Sequence, residues 1–375
     1  MTGIVVTLIA GFTYLSTIEP SASFWDCGEF IASSYKLEVG HPPGNPVFQL
    51  IARFFTMFTD GSHAAIAVNV MSALCSALTI LLLYLTIIFF AKRMADRQEN
   101  GEYSAGQAIA ILGSAAVGAL AYCFSDTFWF SAVEGEVYAM SSLFTAAVFW
   151  AMTKWYDQAD EPHSLRWIVL IAFLMGLSIG VHLLNLLTIP CLFFLFYFRK
   201  KEDGRYSFWQ LAGVFLLSCV VLLLVMAFIQ YLPKTAAFFD RIFVNGFHLP
   251  FNSGAAFFMV LLLLLCFVGI YLSWKKDKVW LNTVILCFTT LVIGFSIFSI
   301  VIIRSSVKTP TNEYQPDNPY TLVRYLGREQ YGSNPLIYGQ TYDAAYELED
   351  SWYWAPMGDR YIKARGQVHP VYDSK

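Results

Sequence analysis

Long apolar runs alternate with short polar loops along this chain, a pattern typical of helices that cross a membrane. A spanning helix needs about 20 apolar residues, with a range of roughly 17 to 25. On that measure there are nine predicted spans, approximately at residues 2–19, 64–91, 106–124, 137–154, 166–181, 183–198, 208–231, 254–273 and 279–303. The pattern therefore predicts an all-α polytopic membrane protein, with a membrane domain at 1–303 and amphipathic helices in the first long loop.

The fifth and sixth spans are separated only by a short polar interruption that contains Gly180, His182 and Asn185. The same stretch could form one tilted span plus a re-entrant piece. The first span could be mistaken for a signal peptide, but it lacks a basic region before it and a small-residue cleavage pattern after it. We therefore interpret it as a membrane helix.

Loop charge favours nine spans and predicts their orientation, because cytoplasmic loops carry an excess of Lys and Arg. Nine spans put twelve basic residues on one side, namely Lys92, Arg93, Arg97, Lys154, Arg166, Arg199, Lys200, Lys201, Arg205, Lys275, Lys276 and Lys278. The opposite loops hold four, namely Lys36, Arg53, Lys234 and Arg241. We therefore expect a cytoplasmic N-terminus and an extracytoplasmic C-terminus, periplasmic in a bacterial inner membrane. The segment 304–375 is then on the outer side, and we interpret it as the start of a larger domain.

Composition supports the membrane assignment, since 57% of residues are hydrophobic and only 14% are charged, against about 25% charged in soluble domains. The net charge of −3 and the lack of a Lys/Arg-rich block argue against a nucleic-acid partner. Six of the seven cysteines lie in apolar runs, so the sequence indicates no disulfide framework.

The first outer loop contains two carboxylates in the motif Phe24-Trp25-Asp26-Cys27-Gly28-Glu29-Phe30. Asp26 and Glu29 are three residues apart, so one helical turn would place both on the same face. Such a pair suits general acid/base work or a divalent cation, and we leave the metal open. The alternative is that both acids only cap a short surface helix.

A stiff turn follows at Gly40-His41-Pro42-Pro43-Gly44-Asn45-Pro46, where three prolines prevent a continuous helix. The prolines could simply separate two helices, but a histidine on such a rigid turn is well placed to bind phosphate or sugar. Other outer-side cations that could hold a phosphate are Lys36, Arg53, Arg241 and Arg304.

Two further polar groups lie at predicted helix ends. Glu134 and Glu136 precede the fourth span without a nearby cation, and their spacing predicts that only one of them faces a shared cavity. They could instead serve as a negative cap of that helix. For His182 and Asn185 the favoured interpretation is hydrogen bonding between helices, with donor binding as the alternative.

Taken together, a helix followed by an acidic outer loop, a His-Pro-Pro turn and a basic-inside bundle resembles the GT-C class of polytopic glycosyltransferases. The first two motifs and Glu134-Gly135-Glu136-Val137-Tyr138 resemble a mainly Bacteroidetes family of membrane proteins related to an animal protein O-mannosyltransferase. The likeness extends over nearly the whole chain, including Gly180 to Leu187 and Tyr320 to Gly332.

This resemblance implies transfer of a sugar from a polyprenyl-phosphate carrier to a hydroxyl of an extracytoplasmic protein or glycan. Mannose is the sugar that the resemblance leads us to expect. Asp26 occupies the place of the base that deprotonates the acceptor, and Glu29 is its helper or alternate. One base is enough for inversion at the anomeric carbon, whereas retention requires a nucleophile. We expect inversion, as the resemblance to the GT-C class implies.

A transporter or lipid flippase is the main alternative. Transporters place charged groups near the bilayer midplane and often break helices in paired halves. The middles of the predicted spans carry almost no charge, and the break at Gly180 to Asn185 has no counterpart elsewhere in the sequence. A non-catalytic membrane scaffold is a third alternative.

Overall fold

The computed structural model describes residues 1–96, 98, 101–201, 204–332, 361–365 and 369–374. Its helices are α1 (Thr2–Ser16), α2 (Cys27–Lys36), α3 (Pro46–Thr56), α4 (Ala64–Met94), α5 (Ala105–Cys123), α6 (Asp126–Ala132), α7 (Val137–Gln158), α8 (Arg166–Ile179), α9 (Ile189–Lys200), α10 (Phe208–Arg241), α11 (Ser253–Lys275), α12 (Val279–Phe295), α13 (Ser299–Ser306) and α14 (Pro319–Leu326). Two strands, β1 (Tyr361–Arg365) and β2 (Pro370–Ser374), form an antiparallel hairpin. The predicted inner-loop residue Arg97 and residues 333–360 of the predicted outer segment lie outside the described residues.

Each of the nine predicted spans coincides with a helix among the described residues. Six helical segments are long and apolar enough to cross a membrane, and α1 and α8 are shorter apolar helices. The seventh helix, α7, has 22 residues and about 33 Å of length at 1.5 Å per residue. The prediction of an all-α polytopic membrane protein is confirmed, and the full number of nine crossings stays a prediction.

Contacts between distant residues show that the bundle has two ends, between which successive helices run in opposite directions. At one end, called the basic end, Arg93 pairs with Asp157 and Arg199 pairs with Asp160. The other end, called the loop end, carries α2, α3 and the loop before them. There the backbone N–H of Val47 donates to the carbonyl of Gly180 over 2.9 Å.

The fifth and sixth predicted spans are separate, because α8 stops at Ile179 and the chain turns back. A 3-10 helix, Leu183–Thr188, follows the turn and leads into α9. The guanidinium of Arg199 near the end of α9 donates to the carbonyl of Tyr156 over 3.0 Å, at the end of the bundle where α8 begins. The two elements therefore form an antiparallel pair.

Close contact between α8 and α12 depends on two glycines. A Cβ atom at Gly176 would lie 2.4 Å from the carbonyl oxygen of Leu291, and one at Gly294 would lie 2.6 Å from the nitrogen of Leu177. Small residues allow helix backbones to approach in a membrane, where association depends on packing rather than on a hydrophobic driving force. This pair holds the turn after α8 at the loop end.

Residues after the last predicted span pack back onto the bundle. Val39 pairs with the segment at Thr311 and Glu313 through two backbone hydrogen bonds of 3.1 Å. The ring of Tyr325 in α14 is 1% exposed and belongs to the hydrophobic core that also includes residues of α7, α8 and α9. The C-terminal segment is thereby joined to the first loop.

Candidate active site at the loop end

The first loop turns into α2 at the acidic motif. Asp26 is the N-cap residue of α2, and Glu29 lies in its first turn, where the positive end of the helix dipole favours negative charge. The rings of Phe24 and Trp25 are 86% and 90% exposed. The side chain of Asp26 is also more than half exposed, at 57%. Its carboxylate can therefore meet a ligand from outside.

Glu29 holds the His-Pro-Pro turn through both of its carboxylate oxygens. One oxygen accepts the backbone N–H of His41 over 2.6 Å, and the other lies 3.0 Å from Nδ1 of the same residue. A Cβ atom at Gly40 would lie 2.5 Å from Glu29 Oε1, so glycine is needed there for the carboxylate to reach the turn. Tyr325 supports the turn from the other side, since its hydroxyl donates to the carbonyl of Gly40 over 2.8 Å.

This contact shifts both groups towards their charged forms. The hydrogen bond with Glu29 raises the pKa of His41 above its usual value, despite the opposing effect of burial. Burial raises the pKa of Glu29, but the hydrogen bonds from His41 outweigh it, so the pKa lies below its usual value. Each of the two groups therefore favours the charged form of the other.

The second ring nitrogen of His41 faces Asp26, with 3.8 Å between Nε2 and Oδ2. Ligand atoms of Asp26, Glu29 and His41 all lie within 4.8 Å of one another, which is close enough for one divalent cation. A cation bound there would have to displace the two contacts between Glu29 and His41. Of the three groups, Asp26 is therefore the one whose oxygens are most available.

Glu136 approaches Asp26 from the start of α7. It is the N-cap residue of that helix, is 6% exposed, and accepts the backbone N–H of Val137 over 3.2 Å. Burial, with smaller effects from the charges of Asp26 and Glu134, raises the pKa of Glu136 to about 7. The buried thiol of Cys27 lies 3.7 Å from Glu136 Oε1 and donates to it. Burial, and then the charges of the two glutamates, raise the pKa of this thiol.

Asp26, His41 and Glu136 line one cavity of about 340 Å³ at the loop end. His182 and Arg328 line the same cavity, together with Tyr138 and the Pro42-Pro43 turn. The cavity thus combines two carboxylates with two histidines and a guanidinium. Such a set can take a proton from a hydroxyl and also hold an anion.

Arg328, which follows α14 with a φ of 54°, is not among the site residues predicted from the sequence. Its guanidinium lies 4.9 Å from the ring centre of Tyr331, and no described carboxylate lies within ion-pair distance of it. Burial, together with the charge of Arg328, lowers the pKa of His182. The sequence did offer one indication of Arg328, because this residue lies within Tyr320 to Gly332, a stretch included in the family resemblance.

Other residues predicted for donor binding lie outside the cavity lining. Asn185 is fully buried and donates to Ser178 Oγ over 2.7 Å, which matches the favoured interpretation of hydrogen bonding between helices. Arg53 donates to the carbonyl of Tyr35 over 2.5 Å, and Arg241 donates to the hydroxyl of Tyr361. Glu134 is buried beside Cys27 but does not line the cavity.

Lys36 and Arg304 meet at the C-terminal end of α2. The guanidinium of Arg304 donates to the carbonyls of Leu37 and Lys36 over 2.5 and 3.1 Å. Neither side chain lines the cavity. Among the predicted phosphate-binding cations, the cavity therefore includes His41, and the structure adds Arg328.

Fold and cavity together define the class of this molecule as a multi-pass, all-α membrane protein with an acid-lined and cation-lined cavity at one end of its bundle. Residues 26–205 match the family described as the protein O-mannosyl-transferase TMEM260 N-terminal domain. The matched segment begins at Asp26 and contains Glu29, His41, Glu136 and His182. Through this segment the chain is related to an animal O-mannosyltransferase family, as the motifs predicted.

Individual relatives support the same relation. The chain is 29% identical over 189 residues to the mouse protein O-mannosyl-transferase TMEM260, covering 50% of this chain and 24% of that protein. It is 24% identical over 211 residues to the Dictyostelium discoideum protein O-mannosyl-transferase tmem260, covering 53% of this chain and 23% of that protein. The chain thus spans about a quarter of the length of the curated relatives it matches. No solved structure is significantly similar to it.

Proposed function

We propose that this chain is the membrane part of a glycosyltransferase that moves mannose from a polyprenyl-phosphate carrier to a hydroxyl of an extracytoplasmic protein. The observation that carries the proposal is the cavity in which Asp26 is available on one side and Arg328 on another. The relatives named protein O-mannosyl-transferase support the choice of sugar and acceptor. In this proposal the loop end is extracytoplasmic, as the loop charges predict.

Asp26 serves as the base because its carboxylate is exposed and is not already bound. It makes no side-chain capping hydrogen bond to α2, and its distance to His41 Nε2 is 3.8 Å, which is longer than a hydrogen bond. Glu29, by contrast, has both oxygens occupied by His41. The contacts therefore favour a positioning role for Glu29 over the role of alternate base.

The reaction follows as a direct displacement at the anomeric carbon. The acceptor oxygen forms a bond to C1 while its proton passes to Asp26, and the bond between C1 and the carrier phosphate oxygen breaks. The polyprenyl phosphate leaves with the electron pair of that bond. One base and one leaving group are sufficient, so the stereochemistry at C1 inverts.

Cations in the cavity stabilise the leaving phosphate. Arg328 offers a planar guanidinium that can contact two phosphate oxygens, and His41 offers a ring N–H as a second hydrogen-bond donor. Charge developing on the phosphate is stabilised most where the donors are already oriented. Glu29 orients His41 for this purpose, and Tyr325 holds the backbone of the same turn.

The test is transfer of radiolabelled mannose from polyprenyl-phosphate mannose to candidate acceptor proteins by the purified full-length protein in lipid. Replacement of Asp26 by Asn should abolish transfer without lowering expression or membrane insertion. Asp126→Asn is the matched control, because Asp126 is an exposed carboxylate of α6 that does not line the cavity. Retained transfer in Asp26→Asn would remove Asp26 as the base. A wild-type protein that transfers no sugar would instead favour a transporter or a scaffold.

A further inference from the structure

A second polar cavity of about 460 Å³ lies at the basic end, between the C-terminal halves of α4 and α7. Lys154 is 17 residues beyond Val137 at the start of α7, which is about 26 Å along a helix axis. The cavity is thus separate from the proposed active site. The proposed sugar transfer gives it no role.

Three cations and one carboxylate line this second cavity: Lys92, Arg93, Lys154 and Asp157. Asp157 pairs with Arg93, which leaves a net positive charge from the two lysines. No described carboxylate lies within ion-pair distance of Lys92 or Lys154. The cavity therefore has unbalanced positive charge that an anion could neutralise.

Arg93 is fixed in place by more than its ion pair. Its guanidinium lies 3.5 Å from the ring centre of Phe89 and donates to the carbonyl of that residue over 2.8 Å. On α7, Lys154 Nζ lies 5.5 Å from the ring of Trp150 in the same helix. Cations held against aromatic rings in this way are oriented before a ligand arrives, which lowers the entropy cost of binding it.

The inner wall of the cavity is apolar. Leu85 and Ile88 are half-buried side chains one to two turns before Lys92 on α4, and they line the same space as the lysines. A soluble anion would gain nothing from this wall. A lipid would place its acyl chains along it while its head group reached the cations.

We propose that this cavity binds the phosphate head group of an anionic membrane lipid, with its acyl chains along Leu85 and Ile88. Lys92 and Lys154 contact the phosphate directly, and Arg93 adds a positive charge whose position is fixed by its own contacts. The site lies at the end of the bundle that loop charges predict to be cytoplasmic, where basic pockets between membrane helices bind anionic head groups. The inference does not depend on the sugar-transfer reaction.

The test uses purified full-length protein in detergent, titrated with short-chain phosphatidylglycerol and followed by native mass spectrometry and thermal unfolding. Lys92→Gln/Lys154→Gln should lower the apparent affinity for phosphatidylglycerol roughly tenfold or more, because both lysines that contact the phosphate lose their charge. Lys275→Gln/Lys276→Gln is the matched control, because it removes the same charge from exposed positions at the end of α11 outside the cavity. The control should bind phosphatidylglycerol as the wild type does.

Two further ligands, tested in the same titration, distinguish an anionic lipid from a neutral lipid and from a soluble phosphate. Phosphatidylcholine and soluble glycerol phosphate should each bind at least tenfold more weakly than phosphatidylglycerol. The Lys92→Arg/Lys154→Arg variant keeps the charge and should retain binding. Equal losses in the cavity variant and the control would overturn the proposal, as would glycerol phosphate binding as tightly as the lipid.

Discussion

The clearest quantitative prediction concerns Glu136, whose carboxyl group is buried at the start of α7 beside two other acids. Replacement by Gln keeps the size of the side chain and its acceptor for the Val137 backbone N–H. The change removes the ability to ionise, and it also replaces the oxygen that accepts the Cys27 thiol with an amide NH2 group. That second effect does not depend on pH in this range, so the pH dependence of the stability change should report the pKa of Glu136.

The magnitude follows from the pKa, which burial raises from 4.5 to about 7. Each pH unit corresponds to about 1.4 kcal/mol, so ionising Glu136 costs the folded protein about 3 kcal/mol relative to the unfolded chain. The folded state retains the proton more tightly, so this penalty is absent below about pH 4.5, grows as pH rises, and is constant above about pH 7. The stability of Glu136→Gln relative to the wild type should therefore be greater at pH 8 than at pH 5.5 by about 2 kcal/mol.

The assay is thermal and denaturant unfolding of the purified wild type and variant in detergent at pH 5.5 and pH 8. The raised pKa of His41 also makes the stability of the wild type fall as pH rises, because the stabilising contact of its protonated form is lost. The pH dependence of wild-type stability alone therefore cannot be assigned to Glu136. The difference between variant and wild type isolates Glu136, because both proteins contain His41. A difference that is the same at the two pH values would refute the reasoning.

Three further variants test other contacts. Gly40→Ala should lower the unfolding free energy by about 1–3 kcal/mol in chemical denaturation, because the new methyl group would collide with Glu29 Oε1. Glu29→Gln should lower the pKa of His41, so that sugar transfer in a pH–rate profile is lost at a lower pH than in the wild type. Arg328→Gln should raise the KM for the lipid-linked donor about tenfold, since a charge-assisted hydrogen bond contributes about 1.5–3 kcal/mol.

Two of these three variants, Gly40→Ala and Arg328→Gln, have a matched control in the chain. At Gly28 the nearest neighbouring atom to an added Cβ is 4.0 Å away, so Gly28→Ala should leave the unfolding free energy almost unchanged. Arg324→Gln alters another arginine of the same C-terminal segment, one that lies over the ring of Tyr314 and does not line the cavity. An unchanged pH profile in Glu29→Gln, or equal KM changes in the two arginine variants, would contradict the assigned roles.

The sequence by itself determined the class of the protein. A helix satisfies its own backbone hydrogen bonds, so local pattern is enough to predict that the long apolar runs of a membrane protein are helical. The same local pattern indicated the pairs Asp26 and Glu29, and Glu134 and Glu136, because ionisable groups at the ends of such runs are few and costly. The family relation also followed from short contiguous motifs around these residues.

Only the tertiary structure decided which contacts each of these groups makes. Asp26 and Glu29 are equivalent on one helical turn, and they differ because the turn at His41 occupies both oxygens of Glu29. Arg328 reaches the cavity because α14 packs onto the bundle through Tyr325, nearly three hundred residues after the first loop. Local pattern cannot encode such an approach, since it depends on how distant helices pack against one another.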